Sequence, residues 1–526
     1  MNAPAGRRRT GLLIPLFSAP STTSWGIGDI GDLAPLSTWL ADAGCRVLQL
    51  LPLNEMAPGL QSPYSALSAM AIDPLFIRLQ DVEEFRGAGG ERALPCEASR
   101  ALERVRRSPR VDYPAVRQLK HDALKAAFAR FHEDAWSRDS ERARQFREFV
   151  TRQAWWIEDY ALFRAIHAHE GERPWTEWPE PLRRRDPPAI DRVRRELSRD
   201  VTYHQYVQWL ACSQWQDARA AAAARGVALF GDVPFMVDTD SADVWARQHQ
   251  FRLDLSLGAP PDAFSAAGQD WGMPVYRWDA IAADDFRWLR DRARRGADLY
   301  DGLRVDHLVG FYRTFGRPRD GREPFFTPEK EADQIALGER ILEIFREPGA
   351  EIIAEDLGTV PDYVRESLAR IGMTGFRVFR WERRWHCAGQ PFRDPAAYPA
   401  ASVAATGTHD TEPMAMWWDR ADADERRKVA DIPSVQRLDA GMADKGFDSA
   451  VRDTLLEVLF ASGSDLFIAP IQDVFGWRDR VNEPAIVGDE NWTFQLPWPS
   501  DRLSEEPDAL ERQRFLRGLS ERYRRI

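Results

Sequence analysis

Leu303-Arg304-Val305-Asp306-His307 is a short aliphatic run that stops on an acid and a histidine. Ala354-Glu355-Asp356-Leu357-Gly358 and Gly407-Thr408-His409-Asp410 repeat the theme, each closing an apolar or β-branched stretch. Runs of this kind occur eight times, at residues 11–16, 47–53, 227–234, 303–306, 351–355, 376–379, 402–406 and 465–471. Helical patterns such as 33–43, 214–225, 286–299 and 363–371 separate most of them, the alternation expected of a parallel sheet or barrel. A buried strand that ends in Asp, Glu or His sets that group at the C-terminal rim, where barrel active sites assemble. The expected fold is therefore α/β, a (β/α)8 TIM barrel.

Three segments are expected along the chain. Residues 1–80 carry barrel strands 1 and 2 with their rim loops, and 81–224 form a mainly helical insertion on the rim. The insertion is read from 115–133, 142–169 and 193–215, which are rich in Arg, Glu, Ala and Trp with apolar residues at three-to-four spacing. Residues 225–526 complete the barrel and place acids at the ends of strands 4, 5 and 7. No C-terminal β-sandwich is expected.

At 526 residues, with 44% hydrophobic and 29% charged residues, the chain has ordinary globular composition and is long enough for one large decorated barrel. A formal charge of −11 argues against nucleic acid or an anionic membrane surface as a partner, since both attract clustered Lys and Arg. No run approaches the roughly 18 apolar residues of a membrane span. The four cysteines, Cys45, Cys96, Cys212 and Cys387, are scattered without a C-x-x-C pair, so reduced thiols in a cytoplasm are expected, with no metal site. Arg7-Arg8-Arg9 before Leu12-Leu13-Ile14 resembles a twin-arginine signal, but Pro15 interrupts a short apolar run, and the stretch reads as a first strand. The 20 tryptophans fit a protein that stacks on the C–H faces of sugars, although many must be core.

Gly26-Ile27-Gly28-Asp29-Ile30-Gly31 matches G-x-G-x-x-G. Ser18 to Trp25 separate it from the preceding strand, and Asp29 and Asp32 would face the phosphates, so it is not read as a dinucleotide site. No cofactor is expected.

Asp306, Glu355 and Asp410 are the candidate chemistry. Retaining glycoside chemistry needs a carboxylate nucleophile and a protonated carboxyl about 5 to 5.5 Å apart, a separation that adjacent barrel strands supply. Arg304 lies two residues before Asp306, on the same side of an extended strand, where a fixed cation favours an ionised carboxylate. Burial near the other acids would keep Glu355 protonated. Asp356 and Asp473 are expected to be structural. His167 and His169, in a helical stretch beside Glu170, diverge at i, i+2 spacing and read as a solvated face rather than metal ligands.

From about Leu12 to Trp492 the chain resembles the amylomaltase or disproportionating-enzyme family, glycoside hydrolase family 77 of the α-amylase superfamily. The likeness is carried by Ser62-Pro63-Tyr64-Ser65, Gly231-Asp232-Val233-Pro234, Asp240-Ser241-Ala242-Asp243-Val244-Trp245, Gly268-Gln269-Asp270-Trp271-Gly272, the three acidic motifs and Pro470-Ile471-Gln472-Asp473. The resemblance implies a 4-α-glucanotransferase in which Asp306 is the nucleophile, Glu355 the general acid and base, and Asp410 the stabiliser of the distorted sugar. It makes Tyr64, Asp232, Gln269, Trp271, Pro274, Arg304, His307 and His409 substrate contacts, with 258–274 a loop over the cleft. Maltooligosaccharides, glycogen or starch-type α-glucans are the implied partners. Many members read H-D-N where this chain has Thr411-Glu412-Pro413 after Asp410. The stretch 254–258 is short, and Ala263 stands where some relatives carry Tyr. An α-amylase-like hydrolase and a catalytically silent glycogen-binding protein are the competing readings; against the second, all three acids are present.

Overall fold

The structure is a computed structural model that describes residues 8–261, 268–484, 486 and 488–525. Eight parallel strands close a barrel: β1 (Arg9–Leu13), β2 (Val47–Gln49), β3 (Ala228–Val233), β4 (Gly302–Val305), β5 (Glu351–Ala354), β6 (Thr374–Val378), β7 (Ser402–Ala405) and β8 (Leu466–Pro470). Each pairs with its neighbours in chain order, and β8 returns to β1 with Gly11 opposite Ile468. All eight runs read from the sequence are barrel strands. The first begins and ends earlier than expected, because Pro15 stops the ladder and Leu16–Ser18 form a single 3-10 turn.

The strands are nearly continuous hydrophobic runs because the barrel interior and the surrounding helices bury both faces. Within them Gly302 is fixed by close packing: a Cβ there would lie 2.6 Å from the Phe230 ring on β3. Between β2 and β3 the chain is helical, with Tyr113–Arg130, Glu141–Arg152, Ala154–His169 and Ser198–Ala224 as the long elements. The expected 142–169 helix is two helices that break at Gln153, and 193–215 is divided at Leu197. An aromatic cluster of Phe128, Phe131, Phe146, Tyr206 and Trp209 glues them, with centroids 4.8 to 5.9 Å apart in pairs such as Phe131–Tyr206 and Phe131–Trp209. Among the described residues the other strands form a four-stranded and a two-stranded sheet, built from 251–276 and 314–327 at the rim.

The glycine motif at 26–31 serves packing. Asp29 caps the Ile30–Asp32 turn in a capping box, and a Cβ at Gly28 would lie 1.9 Å from the Leu16 carbonyl oxygen. Asp356 and Asp473 are structural, as expected. Asp356 accepts from the Phe376 N–H at 2.7 Å and pairs with Arg377, while Asp473 accepts from the Met414 N–H at 2.6 Å and from the Thr406 hydroxyl. His167, by contrast, is not on a solvated face. It is 1% exposed with both ring nitrogens on carboxylates, because a turn at Glu172 and the loop after β3 fold over it. His169 is exposed.

Candidate active site

The rim is built around Arg304. In the β3–β4 register Asp232 sits opposite Arg304, and the two side chains meet at 2.6 Å. Two residues on, Asp306 leaves β4 on the same side, and its Oδ1 lies 3.0 Å from the same guanidinium nitrogen. Arg304 and Asp232 are buried beneath this surface, whereas Asp306, Glu355 and Asp410 are half-buried and open to it. Burial pushes Asp232 up to about 6 against the pull of Arg304.

Glu355 follows β5, the strand hydrogen-bonded to β4, so its backbone N–H donates to the Val305 carbonyl and its side chain lies beside Asp306. The His307 N–H donates to Glu355 Oε2 at 2.8 Å. That geometry requires His307 in the left-handed region, at φ 41°, a conformation uncommon for a non-glycine residue. Burial drives the Glu355 carboxyl well above its ordinary value; Arg304 opposes this, the charge of Asp306 reinforces it, and the His307 N–H does not reverse it.

Asp410, beyond β7, has the opposite electrostatics. Burial alone would raise it, but His409 at 3.2 Å and the Asn482 amide, which donates at 2.6 Å, hold it down at about 2. Two carboxyls on one rim with values driven apart are the arrangement that can divide acid from anion work. The third, Asp306, faces a fixed cation.

Tyr64 joins the two halves. Its hydroxyl donates to Asp232 at 2.8 Å and lies 3.0 Å from His409 Nε2, and its ring stacks on His409 with centroids 5.4 Å apart. On the far side, Trp271 meets His307 edge to face at 4.9 Å and donates its indole N–H to Gln269 at 3.0 Å. Gln269 belongs to the short strand Gln269–Asp270, paired with Leu255–Ala259. Pro274 is buried just before Val275–Tyr276. Of the residues singled out from sequence, Tyr64, Asp232, Arg304, Asp306, His307, Glu355, His409 and Asp410 form one connected network, and Trp271 and Gln269 flank it through His307. Ala263 lies outside the described residues.

Asn482, Trp492 and Arg480 belong to the same network and carry no local sequence signal. All three lie in the segment after β8. Asn482 bonds Asp410, Arg480 donates to the Asp410 carbonyl at 3.1 Å, and Trp492 packs on Tyr64 and His409 at 5.9 and 5.8 Å. Thr411 turns inward to Thr408, both accepting from its N–H and donating to its carbonyl at 3.0 Å. Among the described residues no group of three or more His, Cys, Asp or Glu is arranged as a metal site.

A parallel (β/α)8 barrel whose strand ends gather three carboxylates, an arginine and stacked aromatic rings defines a carbohydrate-active enzyme. More narrowly, the chain belongs to the 4-alpha-glucanotransferase family, glycoside hydrolase family 77, whose profile matches residues 14–500. The 4-alpha-glucanotransferase of Thermus thermophilus is 33% identical, over 96% of this chain and 99% of its own length. That of Synechocystis is 34% identical over 95% and 96%. Among solved structures, the amylomaltase from Streptococcus agalactiae in complex with acarbose aligns with a TM-score of 0.83 at 26% identity, covering 98% of this chain and 99% of that one.

Proposed function

We propose that the chain is a 4-α-glucanotransferase that moves α-1,4-glucan segments from a donor to the 4-hydroxyl of an acceptor glucan or glucose by retaining double displacement. The observation that carries this reading is the contrast between Asp306, ion-paired at 3.0 Å to a buried guanidinium, and Glu355 at the end of the next strand, which takes the His307 N–H at 2.8 Å and whose carboxyl burial pushes well above its ordinary value. Asp306 attacks the anomeric carbon while Glu355 gives its proton to the departing glycosidic oxygen, leaving a covalent glycosyl ester on Asp306. Glu355, now a carboxylate, takes the proton of the incoming hydroxyl as that oxygen displaces Asp306. Asp410, ionised down to about pH 2, accepts hydrogen bonds from hydroxyls of the distorted sugar.

Tyr64 and Trp271 offer apolar faces to sugar rings, and Gln269, His307 and His409 supply polar contacts. Asp232 acts from beneath, since its side chain is fully buried and its Oδ2 takes both Arg304 and Tyr64. The acarbose complex of the streptococcal relative supports a cleft for α-linked glucans such as maltooligosaccharides, glycogen or starch. The four free cysteines fit a reducing cytoplasm. Incubation with maltotriose tests the reading: a ladder of longer oligomers together with glucose is expected, and maltose plus glucose alone would make the chain a hydrolase.

A further inference from the structure

His167 stands near the end of the Ala154–His169 helix with a carboxylate on each ring nitrogen. Nδ1 is 2.7 Å from Glu172 Oε2, and Nε2 is 2.9 Å from Asp240 Oδ2. A neutral imidazole has one N–H and one lone pair, and an ionised carboxylate only accepts. Two carboxylates at these distances therefore require both nitrogens to be protonated. Arg164, one turn back on the same helix, brings its Nη1 to 3.4 Å from Nδ1, and behind it Arg164 holds Glu55, from the loop after β2, at 3.0 Å. Phe163 and Trp178 complete the walls with uncharged rings at 5.3 and 6.1 Å. With His167 charged, the carboxylates of Glu172 and Asp240 meet two cations, His167 and Arg164; with it neutral, they meet one.

The partner Asp240 belongs to the loop that follows β3. Its Oδ1 accepts from the Trp175 N–H at 2.9 Å, and the Trp175 indole N–H donates to the Thr239 carbonyl at 2.7 Å. The Thr239 hydroxyl then donates to the carbonyl of Gly272 at 3.2 Å, and Gly272 directly follows Trp271. A short bonded path thus runs from the helical segment, through the β3 loop, to the strip that carries Gln269 and Trp271.

We propose that His167 is a positioning residue for glucan binding: a buried imidazolium that clasps residues 167–178 to the loop 238–241 and so fixes the strip bearing Gln269 and Trp271. The inference rests on the reading of that strip as a sugar contact. Losing a proton would leave one carboxylate facing a lone pair, and the clasp would open on one side. Burial alone would lower the pKa of His167, but the bonds to Asp240 and Glu172 outweigh it and raise it. The clasp is accordingly closed below that raised value and released as pH climbs past it.

The test combines a histidine-labelled NMR titration with maltotriose kinetics on the full chain, for wild type, Glu172→Gln and His167→Gln. Glu172 is suited to replacement because its side chain is 40% exposed. Wild type should show both His167 nitrogens protonated at neutral pH, with a midpoint above the ordinary value of about 6.5. KM should rise about two- to tenfold across that same midpoint, the range for loss of one hydrogen bond. Glu172→Gln should move the NMR midpoint and the KM inflection down together by about one pH unit. His167→Gln should hold KM at the raised level at every pH, with no inflection. An unprotonated His167 nitrogen at neutral pH, or a KM inflection that stays in place when Glu172→Gln shifts the midpoint, overturns the proposal. Trp271→Ala separates the two readings: unchanged KM in that variant refutes the sugar contact, whereas the NMR titration judges the clasp independently.

Discussion

Asp410 owes its charge to its neighbours. His409 and Asn482 hold it at about 2, so at neutral pH it stays a carboxylate that can only accept hydrogen bonds. Being lowered, it contributes stability that is present above the ordinary carboxylate range and lost as pH falls through about 2. Asn482→Ala removes a hydrogen bond to a charged group, worth about 1.5–3 kcal/mol. We expect kcat/KM to fall about tenfold or more and the acid limb of the pH profile to move toward higher pH. A kinetic profile identical to wild type would show that Asn482 only closes the loop. Glu355 runs the other way. Its raised carboxyl makes its ionisation cost stability, so the fold loses free energy as pH rises from the ordinary carboxylate range through the raised value.

The β3–β4 pair converts strand register into chemistry. Asp232 opposite Arg304 aims the guanidinium, and the two-residue period carries Asp306 to the same face. Asp232→Ala should destabilise the protein by about 3 kcal/mol, because it strips a buried cation of its shortest partner. Thermal unfolding checks this, and an unchanged melting temperature would mean that Asp306 alone suffices for Arg304. Much of this was legible in the chain. Strands buried on both faces read as apolar runs, and an acid that interrupts such a run marks its rim end. What escaped depends on long-range closure. Asn482 reaches Asp410 only because the segment after β8 folds back across the barrel mouth, and the His307 N–H finds Glu355 only because φ at His307 is positive. His167 was misread because helical spacing describes its own helix and is silent about Asp240, which arrives from a loop more than seventy positions away.

Barrel closure has its own device at the base. Arg525 is buried and gives hydrogen bonds to the carbonyls of Phe460 at 2.7 Å, Ser464 at 2.8 Å and Arg9 at 3.3 Å, tying the chain's end to the seam where β8 meets β1. Arg525→Met should lower the melting temperature by several degrees, on the order of 2 kcal/mol, while leaving kcat intact below the transition. A loss of kcat at low temperature would tie the seam to the rim. With no metal or nucleotide assigned a role, exhaustive chelation should leave disproportionation unchanged; activity abolished by a chelator and restored by one metal ion would contradict this.

The division of labour between Asp306 and Glu355 is tested most directly with Glu355→Gln and an α-glycosyl fluoride. Fluoride departs without a proton, so attack by Asp306 survives loss of the acid, while resolution of the ester still needs the missing base. Mass spectrometry of the intact variant should show one added glycosyl unit, and peptide mapping should place it on Asp306. A fluoride donor that reacts no faster than a natural glucan, or an adduct on another residue, would contradict the account.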